Sequence, residues 1–568
     1  MLKTRYVVAS IGLLIAIFIA VMSFLPNLTI EKATKGNTYT GSVFDQSKVT
    51  TVDITLADDD LDSILDNPSE KEVVASDVTI NGEKVENVGF RTKGNLSLNS
   101  VVQMEDSERY SWNIDFNYYQ SDQNLHGLKE FDLNNNYSDP TYMREYLSYE
   151  LMEKMGIATP GHSYMYVTIN GKEWGLYLGV ESINETFLNN NFPSGNGDLY
   201  YPDGTGSDLK WISEDIDDYT GLNLKTNESS DQSAMIKMLD AINNGGDLEE
   251  VLDVDETLRY FAANTALVNL DHYQGTLKHN YYLYEENGVF SMLPWDYNMS
   301  FGGFSGGGGR QEGASDKENE VAAESNDTAN KDDTEPLGEA PNKNGGGMMD
   351  MSSNFMNESN INFSITEPVS GTTLEDRPLL NALLSNDGYR EKYYDYLDGI
   401  ATDFFSEENM TAMTTDISTL ITPYVKKDLT KFYTMDEYTE ATSGEETLVD
   451  FAAQRAESIL AQLSGDLVVE AETESSMGGR APNRGDNANA GQPPPNMGGG
   501  ENGAALQSPN MVNDENGAPP GMNGNMGQQG TDNSSSSKNT IILSSVLLLL
   551  LFGAIVFAHF FKRRGKKG

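Results

Sequence analysis

The sequence predicts an α+β domain, and three observations predict it. Strand-like alternation gathers before residue 300, helical periodicity dominates after residue 362, and Asn-Gly turns punctuate the first half. VASDVTING and VENVGFRTKG are short strand-like runs around the turn Asn81-Gly82, and SWNIDFNY alternates apolar and polar residues. SYMYVTINGKEWGLYLGVESI reads as two strands joined at Asn170-Gly171. Between them the chain predicts a helix, with Asp139 as N-cap, Pro140 at the first helical position and Gly156 as its stop. Beyond residue 362, RPLLNALLSNDGYREKYYDYLDGIATDFF and TLVDFAAQRAESILAQL carry apolar residues at three- and four-residue spacing.

Two stretches fall outside this pattern. Residues 302–361 combine glycine runs with DKENEVAAESNDTANKDD and predict a disordered insertion that divides the domain into 45–301 and 362–466. Residues 467–539, rich in Gly, Pro, Asn and Met, predict a flexible stalk.

The ends of the chain predict a membrane tether. Ile541 to Phe561 carries no formal charge, long enough as a helix to span a hydrocarbon core of ~30 Å. Five cationic side chains follow between Lys562 and Lys567, so that end stays cytoplasmic and the domain lies outside. Residues 1–27, with Lys3 and Arg5 before an apolar run, read as a cleaved signal peptide or a retained signal anchor. The chain has no cysteine, which excludes disulfides and thiolate chemistry and fits a Gram-positive cell surface. A net charge of −49 excludes a nucleic-acid partner, because no basic patch offsets phosphate.

The chemistry is concentrated in ALVNLDHYQGTLKHNYYLYEENGVFSMLPWDYNMSFGG, residues 266–303. Asp271 follows an apolar helix-like run. Asn280 opens YYLYEE, which meets VFSMLPWD across Asn287-Gly288 as a hairpin. Two strands of similar length bring Asn280 and Asp296 out at one end, where Asp271 can join them. An Asp, an Asn and a second Asp around a hairpin are the parts of metal-dependent phosphoryl transfer: one orients the attacking hydroxyl, two hold Mg²⁺ or Mn²⁺ on ATP. The same residues also suit plain helix capping and hairpin closure.

Several ordered blocks resemble the CotH kinase family, the spore-coat protein H group of atypical secretory kinases. They are Arg91-Thr92-Lys93-Gly94-Asn95, RYSWNIDF from Arg109, LNNNYSDPTYMREYLSYELMEKMG, INGKEWGLYLGVE, NLDHYQGTLKHNYYLY and PWDYN. The resemblance implies a two-lobed, protein-kinase-like fold and transfer of phosphate from ATP to protein Ser or Thr at the cell surface or spore coat. It makes Asp271 the catalytic residue and Asn280 and Asp296 the metal ligands. Arg91 and Lys93 alternate on a strand and become candidate nucleotide contacts, with Arg109 replacing a family lysine. Glu145, Glu150 and Glu153 are candidate partners for the lysine. The alternative is a surface-binding module that keeps the fold without catalysis.

Overall fold

The computed structural model of the protein describes residues 39–227, 229–304 and 355–469. Seven strands form a closed barrel: β1 (Thr50–Thr55), β2 (Val74–Ile80), β3 (Glu83–Lys93), β4 (Ser111–Asp115), β5 (Glu130–Asn134), β6 (His162–Ile169) and β7 (Lys172–Glu181). Their order is β1-β2-β3-β4-β5-β7-β6, and the parallel pair β1–β6 seals the ring. Closure removes the exposed edges that an open sheet would carry. Asn81 and Asn170 adopt the left-handed backbone, with Gly82 and Gly171 behind them, at the two predicted hairpin turns. Alternation then fills the lumen: Phe90, Trp112, Ile114, Phe131 and Leu133 are sealed inside, and Phe90 stacks on Trp112 at 4.8 Å.

A second sheet follows, made of β8 (Asp198–Pro202), β9 (Leu222–Leu224), β10 (Tyr281–Glu286) and β11 (Val289–Pro294), in the order β11-β10-β8-β9. The predicted β10–β11 hairpin forms, but its second strand ends at Pro294, two residues short of Asp296, and Tyr281 pairs with Pro294 at its open end. The Val254–Leu267 helix packs on this sheet, and Asp387–Gly399, Glu407–Lys427 and Leu448–Ser464 pack beyond it in the larger apolar cluster.

The Arg144–Lys154 helix is central. Its residues from Arg144 to Tyr149 are all buried, so its first turns have no solvent face, and only its C-terminal end reaches solvent at Glu153 and Lys154. It starts later than Pro140, because Ser138 and Tyr142 take left-handed backbone and make a separate turn first. Asp139 still serves the helix: Oδ2 accepts from Arg144 N at 2.9 Å, while Oδ1 accepts from Thr141 N at 3.0 Å.

The margins of the predicted insertion are folded. Glu358–Ile361 is a short helix, and the Asn360 side chain donates to Gly302 O at 3.1 Å. Asn360 and Ile361 are buried there, so the polar composition of this stretch hid residues that pack. The rest of the predicted insertion, residues 305–354, lies outside the described residues, as do the signal segment, the span Ile541–Phe561 and all but the first residues of the stalk. Among the described residues no helix is long and apolar enough to cross a membrane.

Candidate active site

The barrel contributes the first half of the site. On β3, β4 and β5 the side chains that do not enter the lumen are polar, and Arg91, Asn113 and Asp132 stand in register across the three strands. Lys93, two residues beyond Arg91, donates to Asp132 Oδ2 at 2.7 Å and to Asn134 Oδ1 at 3.1 Å. Asp132 also accepts from the Asn113 amide at 2.8 Å. Asn134 turns its own amide to Glu145, reaching both carboxylate oxygens at 3.0 and 2.9 Å, and Tyr149 OH donates to the same group at 3.2 Å. The lysine thus pairs with a strand aspartate, and the helix glutamate joins through Asn134.

The second half comes from the hairpin and the loop before it. Asn280 and Asp296 flank the paired ends of β10 and β11, both with left-handed backbone that swings the chain out of the ladder. The Asn280 amide nitrogen donates to the Asp271 carbonyl and to Oδ2, each at 3.1 Å. That leaves the Asn280 amide oxygen as a spare acceptor. Asp271 Oδ1 meets His279 Nε2 at 2.7 Å. The two halves face each other: the Lys93 ammonium lies 5.3 Å from the Trp295 ring centre, and Asp296 feels Lys93, Asp271, His279 and Asp132.

Electrostatics show an excess of anions. Burial, reinforced by Asp271, raises the Asp296 pKa despite Lys93. Burial followed by Asp296 raises that of Glu145. Burial opposes the charge on Lys93, yet Asp132, Asp296 and Glu145 outweigh it and raise its pKa. His279 is likewise opposed by burial but held above the usual imidazole value by its bond to Asp271, with Asp296 and Asp203 nearby.

A hard divalent cation suits this donor set. Among the described residues no three His, Asp or Glu side chains form a metal cluster by themselves. Asp296 and the Asn280 amide oxygen instead offer the small protein share that Mg²⁺ takes when water and phosphate complete its shell. A cation there would relieve the crowding of Asp296 with Asp271 and Glu145.

Other sequence candidates stand elsewhere. Arg109 does not fit a nucleotide contact: its side chain is fully buried, ion-paired to Asp428 at 2.8 Å, and also donates to Asn135 O, Thr430 Oγ1 and Leu176 O. Glu150 lies away from Lys93, accepting from Gln46 at 2.7 Å and meeting His162 at 3.1 Å, and Glu153 is exposed. Arg91 is half-buried on the same strand face as Lys93 and close to Asp115 and Glu130. Sequence reasoning missed Asp132, Asn134 and His279. The signal for the first two was Glu130, Asp132 and Asn134 at every second position of β5, against Phe131 and Leu133 inside.

The family model described as "CotH kinase protein" matches residues 90–459, more than half of the chain. The chain belongs to the CotH kinase family. It is 30% identical over 212 residues to the "Inner spore coat protein H" of Bacillus subtilis (strain 168), covering 35% of this chain and 56% of that protein. It is 30% identical over 93 residues to an "Inner spore coat protein H-like protein" of the same organism, covering 16% of this chain and 29% of the relative. The chain therefore spans about half the length of the first relative and less than a third of the second. The CotH match runs from β3 to the Leu448–Ser464 helix, so it contains every residue of the candidate site.

Proposed function

We propose that this CotH-family chain is a metal-dependent protein Ser/Thr kinase with a protein-kinase-like fold. It works outside the cytoplasm, tethered by Ile541–Phe561. One observation carries the reading: Asp271, Asn280 and Asp296 meet at the end of one hairpin, opposite Lys93. Family membership supports ATP as the phosphate donor, and the likeness to an inner spore coat protein supports acceptors at the cell surface or spore coat.

Bound Mg²⁺ or Mn²⁺ would neutralise charge on the phosphate oxygens of ATP. Asp296 and the Asn280 amide oxygen hold that cation, and Lys93, fixed by Asp132 and Asn134, contacts the phosphates as a point charge. Asp271 orients the acceptor hydroxyl and takes its proton as the oxygen attacks the γ-phosphorus and the bond to ADP breaks. Glu145 and Tyr149 keep Asn134 in position.

Calorimetric titration of the full-length protein in detergent with ATP and Mn²⁺, followed by a transfer assay on a Ser-rich acceptor, tests the proposal. Wild type is expected to bind and transfer. Asp296→Ala and Asp271→Ala are expected to lower transfer by on the order of 10³-fold or more. Absence of nucleotide binding by wild type would replace this reading with a surface-binding role.

A further inference from the structure

The loop from Asp271 to Asn280 carries both ends of the proposed chemistry, yet it contains no helix or strand. It is held from a distant part of the chain. Arg377 Nε donates to Tyr273 O at 2.6 Å, and Arg377 Nη2 donates to Gly275 O. Arg377 Nη1 donates to Asp376 O at 2.8 Å. The Gln274 side chain donates to Thr265 Oγ1 at 2.9 Å and to Pro368 O at 2.7 Å, while Ser370 N donates back to Gln274 O at 3.0 Å. Three consecutive residues just after Asp271 are therefore gripped by residues 368–377.

Two further facts show that this grip is specific. Arg377 is only 3% exposed, and among the described residues no carboxylate is hydrogen-bonded to its guanidinium; burial pulls its pKa down, with Tyr273, Asp208 and Asp376 acting against it. A buried guanidinium without an ion-pair partner costs stability, and what it gains here is a planar fork that spans two carbonyls. At Gly275, a Cβ would fall 1.8 Å from Leu270 O, because the loop folds back on the residue immediately before Asp271. The grip thus fixes the backbone on which the Asp271 carboxylate is mounted.

We propose that Arg377 is a positioning residue for phosphoryl transfer. It sets where Asp271 stands relative to Asp296 without touching the reactants, while Asn280 is held at the end of the β10–β11 hairpin. The inference rests on the kinase reading above. Misplacement by about 1 Å at a reacting group costs roughly 100-fold in rate, whereas the Lys93 side of the nucleotide site does not depend on this loop.

Arg377→Lys and Arg377→Ala in the full-length protein test it, through transfer kinetics, ATP–Mn²⁺ calorimetry and trypsin cleavage after Lys278 in the loop. In Arg377→Lys, which keeps the charge but not the fork, nucleotide affinity is expected within about threefold of wild type. Its kcat is expected to fall on the order of 100-fold, with cleavage at Lys278 about tenfold faster. Millimolar guanidinium ion is expected to restore kcat in Arg377→Ala by about tenfold. An unchanged kcat in Arg377→Lys, an affinity loss equal to the kcat loss, or no rescue of a folded Arg377→Ala would each overturn the proposal. Should Arg377→Ala not fold, Arg377→Lys decides alone. Should wild type transfer no phosphate, the kinase reading and a positioning role in it fall together. Faster cleavage at Lys278 would then show that the grip on the loop is real and that only the chemistry was misread.

Discussion

Arg109 and Lys93 are cations from neighbouring parts of the same barrel, and they sit in opposite surroundings. Arg109 is sealed: Asp428 neutralises it, carbonyls and the Thr430 hydroxyl accept from its other nitrogens, and Tyr177 lies 4.7 Å below its guanidinium. Lys93 sits on the open side, 17% exposed, among Asp132, Glu145 and Asp296, more anions than one ammonium can balance. Asp428 likewise has every need met, accepting from Arg109 and from Leu176 N at 2.9 Å. Asp296 has a raised pKa instead. A balanced buried pair holds a fold together. An unbalanced, partly open cluster stores repulsion that a cation and a phosphate can relieve.

Breaking the unbalanced side should give the largest effect. Asp296→Ala is expected to lose transfer, as stated above, and to gain stability of about 1 kcal/mol, because it removes a like charge beside Asp271 and Glu145. Urea unfolding of the metal-free protein measures that gain. A loss of stability would mean that Asp296 is structural, and the contrast with Asp428 would collapse.

Breaking the balanced side should do the reverse. Arg109→Met strands Asp428 in the interior and is expected to cost about 3–5 kcal/mol, leaving ATP affinity of the folded fraction unchanged. Denaturation and calorimetry on one sample read both. A milder break is Gly175→Ala. Gly175 has φ +108°, and a Cβ there would stand 2.2 Å from both Asp428 carboxylate oxygens, so about 1–3 kcal/mol of stability is expected to be lost. A neutral Gly175→Ala would show that the Asp428 segment can move aside and that the pair is no latch.

The contrast also explains what the sequence could reveal. The β10–β11 hairpin was legible because Asn287-Gly288 and alternating residues are local signals, and it brings Asn280 near Asp271 with only eight residues between them. The strand turns at Asn81 and Asn170 were legible for the same reason. Barrel closure was not, because β1 and β6 meet through a parallel pairing of residues more than a hundred positions apart. Asp132 escaped notice because a carboxylate on a strand reads as solvated until the hairpin is known to cover it. Arg109 misled for the complementary reason. An arginine beside a strand looks the same in sequence whether it meets phosphate or an aspartate 319 positions away. Arg377 shares that difficulty, since its partners are carbonyls about a hundred residues distant.

The smallest expected effect concerns a buried anion with neither arrangement. Glu256, on the Val254–Leu267 helix, is buried, and among the described residues no cation is bonded to it and one of its carboxylate oxygens has no hydrogen-bond partner. Burial, then Asp253, pushes its pKa up to about 8. In the unfolded chain the same group releases its proton near the ordinary glutamate value of about 4.3. Between those values the folded protein holds a proton that the unfolded chain has lost, so stability falls as pH rises through this window and levels off above it. The expected loss is on the order of 1–2 kcal/mol between about pH 6 and pH 8. Glu256→Gln is expected to flatten that slope without altering ATP affinity. A slope that survives in Glu256→Gln would assign the titration to another buried carboxylate instead, Glu145 of the site or Glu181 beneath Tyr39, each raised by burial to about 7.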